Sequence, residues 1–163
     1  MKLWMKVTLL SVAGFGLGFG AIFTFFRTEK AGAATSSSLG ANGKPIELDW
    51  SRLRELDVAS GKPSDFLKSV NGKVIRVPGF IVPLEDNQQA VSEFLLVPSP
   101  QACIHTPAPP PNQIVHVKMA PGARAKMSYG PVWVQGRMTI MEVTHAYGKA
   151  SYEMLGELTE PYN

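Results

Sequence analysis

The segment from Lys73 to Leu84 reads KVIRVPGFIVPL, a β-rich run broken by Pro78-Gly79. Proline removes a backbone donor and is excluded from the middle of a flat sheet, and glycine in a strand marks a bulge or a close backbone approach. The run therefore predicts one long strand with a corner, a shape that belongs to a small, strongly curved β fold. Four further strands are expected at Ser92–Val97, Gln113–Met119, Val132–Val143 and Ala150–Leu158, with turns between them. Ahead of them, Asp49 is placed to cap a short helix carrying Trp50, Leu53 and Leu56, and Ser64 to Val70 forms a second helical turn ending at Asn71-Gly72. Five strands led by a long bent one, with only short helices before them, point to a mainly β fold: a small five-stranded OB-like barrel.

What precedes this domain is of a different kind. Val7 to Phe26 is a run of twenty residues without a charge. As a helix it would extend about 30 Å, the thickness of a bilayer's hydrocarbon core. With Lys2 and Lys6 before it, the expected topology keeps the N-terminus in the cytoplasm and carries the rest across. Residues 1–30 are thus read as a signal anchor in the inner membrane, 31–47 as a flexible Ala/Ser/Gly-rich linker, and 48–163 as a periplasmic β-barrel domain. The alternative is cleavage near Ala33, where small residues cluster, with release to the periplasm. Gly14 and Gly18 share one helix face and are the candidate contact for a homodimer or a second membrane helix; a glycine-rich span with no partner is the plainer reading.

The same division explains the charge. The first thirty residues hold four basic side chains and one acidic, and the other 133 hold twelve of each, so the net +3 belongs to the membrane segment. A neutral domain lacks the clustered Lys and Arg that nucleic-acid binding needs, and that class is set aside. One cysteine excludes an internal disulfide and any multi-cysteine zinc module. Walker, dinucleotide, nucleophile-elbow and HExxH motifs are all absent from the sequence.

Chemistry concentrates in Pro98–Asn112 (PSPQACIHTPAPPPN), a loop with six prolines that holds Cys103 and His105. Loops of this length inside a small domain are usually functional, and proline stiffens the backbone that presents them. In an extended loop, residues two apart point the same way, so the Cys103 thiolate and the His105 imidazole suit one soft or borderline ion, zinc or copper. Two ligands do not complete a site. His116, His145, Asp86 and Met119 are the other donors at hand. His116 is expected at the surface or rim of its strand and His145 in a solvated turn; most of the methionines read as core packing. Glu85 and Asp86 are expected in a solvated turn rather than as a catalytic pair. For Cys103 and His105 a purely structural role and thiol chemistry remain open beside metal contact, and a thiol enzyme would still need an orienting group and a partner thiol. Thr106 to Pro111 reads either as a rigid crossover or as a polyproline element for a protein partner.

The strings GKVIRVPGFIVPLE and EFLLVPSPQACIHTPAPPPNQIVHV resemble a bacterial family of exported proteins known only as a domain of unknown function. The resemblance rests on Gly79, Phe80, Val82, Pro83 and Leu84, on Phe94 to Pro98, and on Cys103, His105, Pro107 and Pro111 to Gln113. It covers roughly Leu48 to Leu158. It implies a periplasmic or membrane-attached accessory protein of a transport or metal-handling system and no known reaction; the reading adopted from the residues is a non-enzymatic protein with an envelope or transporter protein as partner. Relatives of this kind are exported by lipoprotein or cleavable signals, so the long apolar segment is a departure.

Overall fold

The computed structural model describes residues 43–86, 89–100 and 108–162. The apolar run Val7–Phe26, with Gly14 and Gly18, lies outside them, as do Ala33, most of the linker, Cys103 and His105. Among the described residues no helix is long and apolar enough to cross a membrane.

The described chain is mainly β. Strand β1 (Ile46–Glu47) pairs in parallel with β2 (Val74–Pro83), so pairing begins two residues before the expected domain start at Leu48. Helix α1 (Trp50–Leu53) starts where Asp49 Oδ1 accepts the Arg52 N–H at 3.0 Å. Helix α2 (Asp65–Val70) starts where the Ser64 hydroxyl accepts the Leu67 N–H at 3.2 Å. Both are N-caps of the ordinary kind, satisfying amides that a helix leaves unpaired. Strands β3 (Ala90–Val91) and β6 (Ala125–Lys126) form a two-stranded pair that sequence patterning did not anticipate. The remaining strands are β4 (Glu93–Val97), β5 (Val115–Met119), β7 (Val132–His145) and β8 (Gly148–Pro161). Both β7 and β8 extend beyond their expected ends, because their pairing runs from Val132 opposite Pro161 to His145 opposite Gly148 at the turn.

Five strands close into a hydrogen-bonded ring in the order β2-β4-β5-β8-β7 and back to β2. The corner in β2 makes the closure. Val74 to Gly79 pairs with β7, and Phe80 to Pro83 pairs with β4, so the strand changes partner at the expected Pro78-Gly79 break. A Cβ on Gly79 would stand 2.8 Å from both Leu96 Cγ and the Val97 carbonyl oxygen, which explains why the turning point is glycine. Pro78 has no N–H to pair, and its carbonyl instead accepts the Trp50 indole N–H at 2.6 Å, tying α1 to the corner.

Inside the ring, Ile75, Val77, Phe94, Leu96, Val115, Val117, Val134, Met138, Tyr152 and Met154 form one buried cluster. Leu53, Leu56, Leu67 and Val70 from the helical segment join it. The buried Tyr152 hydroxyl donates to the Leu53 carbonyl at 2.6 Å, and burial pushes its pKa well above the usual tyrosine range, so it serves as a neutral donor.

A second apolar cluster lies on the other face of the same strands. It consists of Leu95, Val97, Ile114 and Ala150, with Phe80, Val82 and Leu84 packed against it. Strand alternation requires two faces, and here both are apolar at the end where β4 leaves and β5 returns.

Candidate functional site

The candidate site grows from that outward face. In the β4–β5 ladder Leu95 stands opposite His116, and Glu93 opposite Lys118, while in the β5–β8 ladder His116 stands opposite Glu153. A polar row is thus set across three strands beside the second apolar cluster. His116 is only 3% exposed, which corrects the expectation of a surface or rim residue. Alternation rightly puts it opposite Val115 and Val117, but this outward face is covered.

The covering group on which the structure speaks is His145, the last residue of β7. Its ring lies against that of His116 with centroids 6.3 Å apart and planes inclined by 17°. This corrects the second histidine expectation: His145 ends a strand and is partly buried, and the turn itself is Ala146-Tyr147. The long β7–β8 hairpin therefore brings together two histidines 29 positions apart in sequence.

Each ring has one satisfied nitrogen. His116 Nε2 donates to Glu93 Oε1 at 2.8 Å, and His145 Nδ1 accepts the Tyr147 backbone N–H at 3.2 Å. The other two, His116 Nδ1 and His145 Nε2, are buried and have no hydrogen-bond partner among the described residues. Buried polar atoms are nearly always paired, so two orphans on facing rings call for explanation. Glu153 Oε1 lies 3.9 Å from His116 Nδ1, too far for a hydrogen bond, and is held at 3.2 Å by the Lys118 ammonium. Burial and the adjacent His116 hold His145 below the usual histidine range, with the Lys149 carbonyl opposing them. Its ring thus favours the neutral state that metal coordination needs.

The other expected donors are elsewhere. Met119 is core, its sulfur against Gly156, where an added Cβ would come within 2.6 Å of it. Asp86 is exposed in its turn. Glu85 is an anchor: its Oε1 accepts the Ser92 hydroxyl and the amides of Ser92 at 2.9 Å and Glu93 at 2.7 Å. The Ser92 hydroxyl bond does most to hold its carboxyl below the usual range, and the charge is used to start β4. Among the described residues no three His, Cys, Asp or Glu side chains already converge on one point.

The loop that carries Cys103 and His105 joins β4 to β5, and its described base is firm. Pro111–Gln113 forms a 3₁₀ turn that leads into β5. Asn112, 8% exposed, donates its amide to the Leu56 carbonyl at 2.9 Å and to the Arg54 carbonyl at 3.3 Å. Replacing Asn112 with Ala leaves those carbonyls without their donor and is expected to cost about 1–3 kcal/mol. Urea unfolding of the variant beside the parent measures it, and an unchanged midpoint would show that the clamp contributes nothing. A cleft of about 380 Å³ lined by Phe80, Val82, Pro83, Pro100, Tyr129 and Tyr147 opens at the same end.

Residues 52–161 match the family described as "Protein of unknown function (DUF3299)", from within α1 to the last residue of β8. The chain belongs to the DUF3299 family. The match includes the whole strand ring, and it bears out the expectation of an uncharacterised family. A crystal structure of a DUF3299 family protein from Pseudomonas aeruginosa PAO1 is similar over 74% of this chain and 97% of that one, at 33% identity and a TM-score of 0.59. No curated protein matches this DUF3299 chain.

Proposed function

We propose that this DUF3299 chain is a membrane-anchored periplasmic accessory protein whose OB-like barrel presents the Cys103/His105 loop to a zinc or copper ion, in a transport or metal-handling system. The barrel reading is supported by the closed order β2-β4-β5-β8-β7, with β5 and β8 parallel and the bent first strand shared between two neighbours. The anchor rests on the uncharged run Val7–Phe26 behind two lysines. The observation that carries the metal reading is the placement of the loop. Its described ends, Val97 and Ile114, are each two residues along the strand from Leu95 and His116, and His116 keeps an imidazole nitrogen with no hydrogen-bond partner among the described residues. A thiolate and an imidazole delivered there would join donors of the borderline class that zinc and copper prefer.

Metal analysis of the detergent-solubilised full chain, purified under reducing conditions, tests this reading. The expected result is a bound zinc or copper ion whose occupancy falls at least severalfold in Cys103→Ser and in His105→Ala. Unchanged metal content in both variants would overturn it. A chain without metal that nonetheless retained an envelope protein would favour the second reading, an interaction module using the apolar, tyrosine-edged cleft.

A further inference from the structure

We infer that the tip of the β7–β8 hairpin is an acid-released catch: a neutral His145 fastens the turn by holding the Tyr147 amide, and a proton gained by its ring lets the tip go. The device needs no metal ion, so it stands apart from the loop reading.

The direction of one hydrogen bond carries the inference. His145 Nδ1 accepts the Tyr147 backbone N–H at 3.2 Å, so in the neutral ring Nδ1 has the lone pair and Nε2 the proton. A second proton can go only to Nδ1. There it would set one N–H against another, and the bond that spans Ala146 is lost. The ring is also poorly placed to hold a charge. Its Nε2 is buried and has no hydrogen-bond partner among the described residues. The His116 ring is stacked against it with centroids 6.3 Å apart, so a charge on either ring opposes one on the other.

The remaining charged groups around the two rings are engaged. Glu93 on β4 accepts His116 Nε2–H at 2.8 Å, and Glu153 on β8 lies 3.9 Å from His116 Nδ1 and 3.2 Å from the Lys118 ammonium. The Lys149 ammonium is held by Glu142 at 2.7 Å, while the Lys149 backbone carbonyl favours a charged His145. Burial, and after it the His116 ring, outweigh that carbonyl and hold His145 below the usual histidine range. The folded chain therefore takes up this proton less readily than the unfolded one. The fastened tip keeps its full stability above about pH 6.5 and loses it as the pH falls through the lower folded value.

The tip is separable from the rest of the ladder. A register shift between Ile140 and Val143 interrupts the β7–β8 pairing, and three pairs, from Val143 with Ala150 to His145 with Gly148, lie beyond it. The turn ends on Gly148 at φ 134°, a conformation that residues with a side chain rarely adopt. Exposed segments of this kind open at lower cost than core strands. Tyr147 lines the cleft with Phe80 and Tyr129, so release of the tip reshapes that cleft and draws His145 away from the buried His116.

Hydrogen exchange of the detergent-solubilised full chain tests the catch, with Cys103→Ser and His105→Ala in the background and a chelator present, so that the loop holds no metal. After correction for the intrinsic pH dependence of amide exchange, residues 143–149 are expected to exchange at least about fivefold faster at about pH 5.5 than at about pH 7.5, relative to β4 and β5. His145→Asn keeps a side-chain oxygen for the amide two residues on and cannot gain a proton, so its tip should stay protected at both pH values. His145→Ala has no acceptor and should exchange fast at both. Tip exchange independent of pH in the parent, a pH-dependent rise that persists in His145→Asn, or a His145→Ala tip as protected as the parent's would overturn the inference.

Discussion

Gly136→Ala is expected to destroy the strand ring. Gly136 sits where the β7–β8 register shifts, facing Gly156 across that pair and Ile75 across the β2–β7 pair. A Cβ at this position would stand 2.2 Å from the Leu155 carbonyl oxygen, 2.8 Å from Gly156 Cα and 2.9 Å from the Leu155 carbonyl carbon. All three are backbone atoms, so no side-chain rotation relieves the overlap, and β7 cannot back away without opening its pairing with β2. Overpacking where side chains can adjust costs about 1–3 kcal/mol, and the rigid case should exceed it. Against a total stability of about 5–15 kcal/mol, that leaves a chain near or past its unfolding midpoint. Gly130 is the control, since the nearest atom to a Cβ there is the Ser128 hydroxyl at 3.9 Å. Thermal unfolding followed by circular dichroism should show Gly130→Ala close to the parent and Gly136→Ala without a cooperative transition. Equal melting temperatures would refute the account of the seam.

Phe94→Ala should have the second-largest effect, about 3–5 kcal/mol. Phe94 is fully buried in the ring's main cluster, with Pro83 and Val117 as its cross-strand neighbours. The atoms removed lose their transfer from water, and strands bonded on both sides cannot collapse into the space. Leu155→Ala provides the comparison: the same kind of truncation on a side chain 47% exposed should cost far less. Guanidinium unfolding of both variants measures the difference. A Phe94→Ala midpoint no lower than that of Leu155→Ala would mean that the ring interior is not the stabilising core.

The five long strands and both short helices were legible because each has a local physical cause. Asp49 and Ser64 announce caps, Asn71-Gly72 a turn, and Pro78-Gly79 a corner, and each is found doing what its chemistry requires. The two-residue strands β1, β3 and β6 were not legible, since they are shorter than any periodicity and exist only through a distant partner. The site was read in part. Alternation gives the face on which His116 lies, but says nothing of whether that face is covered; the cover comes from a hairpin whose reach depends on tertiary packing. For His145 the available signal was the tight turn Ala146-Tyr147, which lets β7 run up to it. Asn112 looked like a turn former and is also a buried clamp, because its partners are carbonyls just after α1, more than fifty residues earlier.

The change of partner at Gly79 also sets an order of events for a chain made from its N-terminus. The β4 half of β2 finds its neighbour nearby in the chain, with Pro83 pairing Phe94, whereas the other half waits for β7, with Val74 pairing Arg137. Likewise β5 has only one neighbour until β8, the last strand, lies down beside it in parallel. Until the C-terminal hairpin is complete, β2 and β5 carry unpaired backbone edges, the feature that recruits foreign strands. The final thirty residues are thus the latch of the domain, and a shortened product lacking them is two open sheet edges in search of a partner.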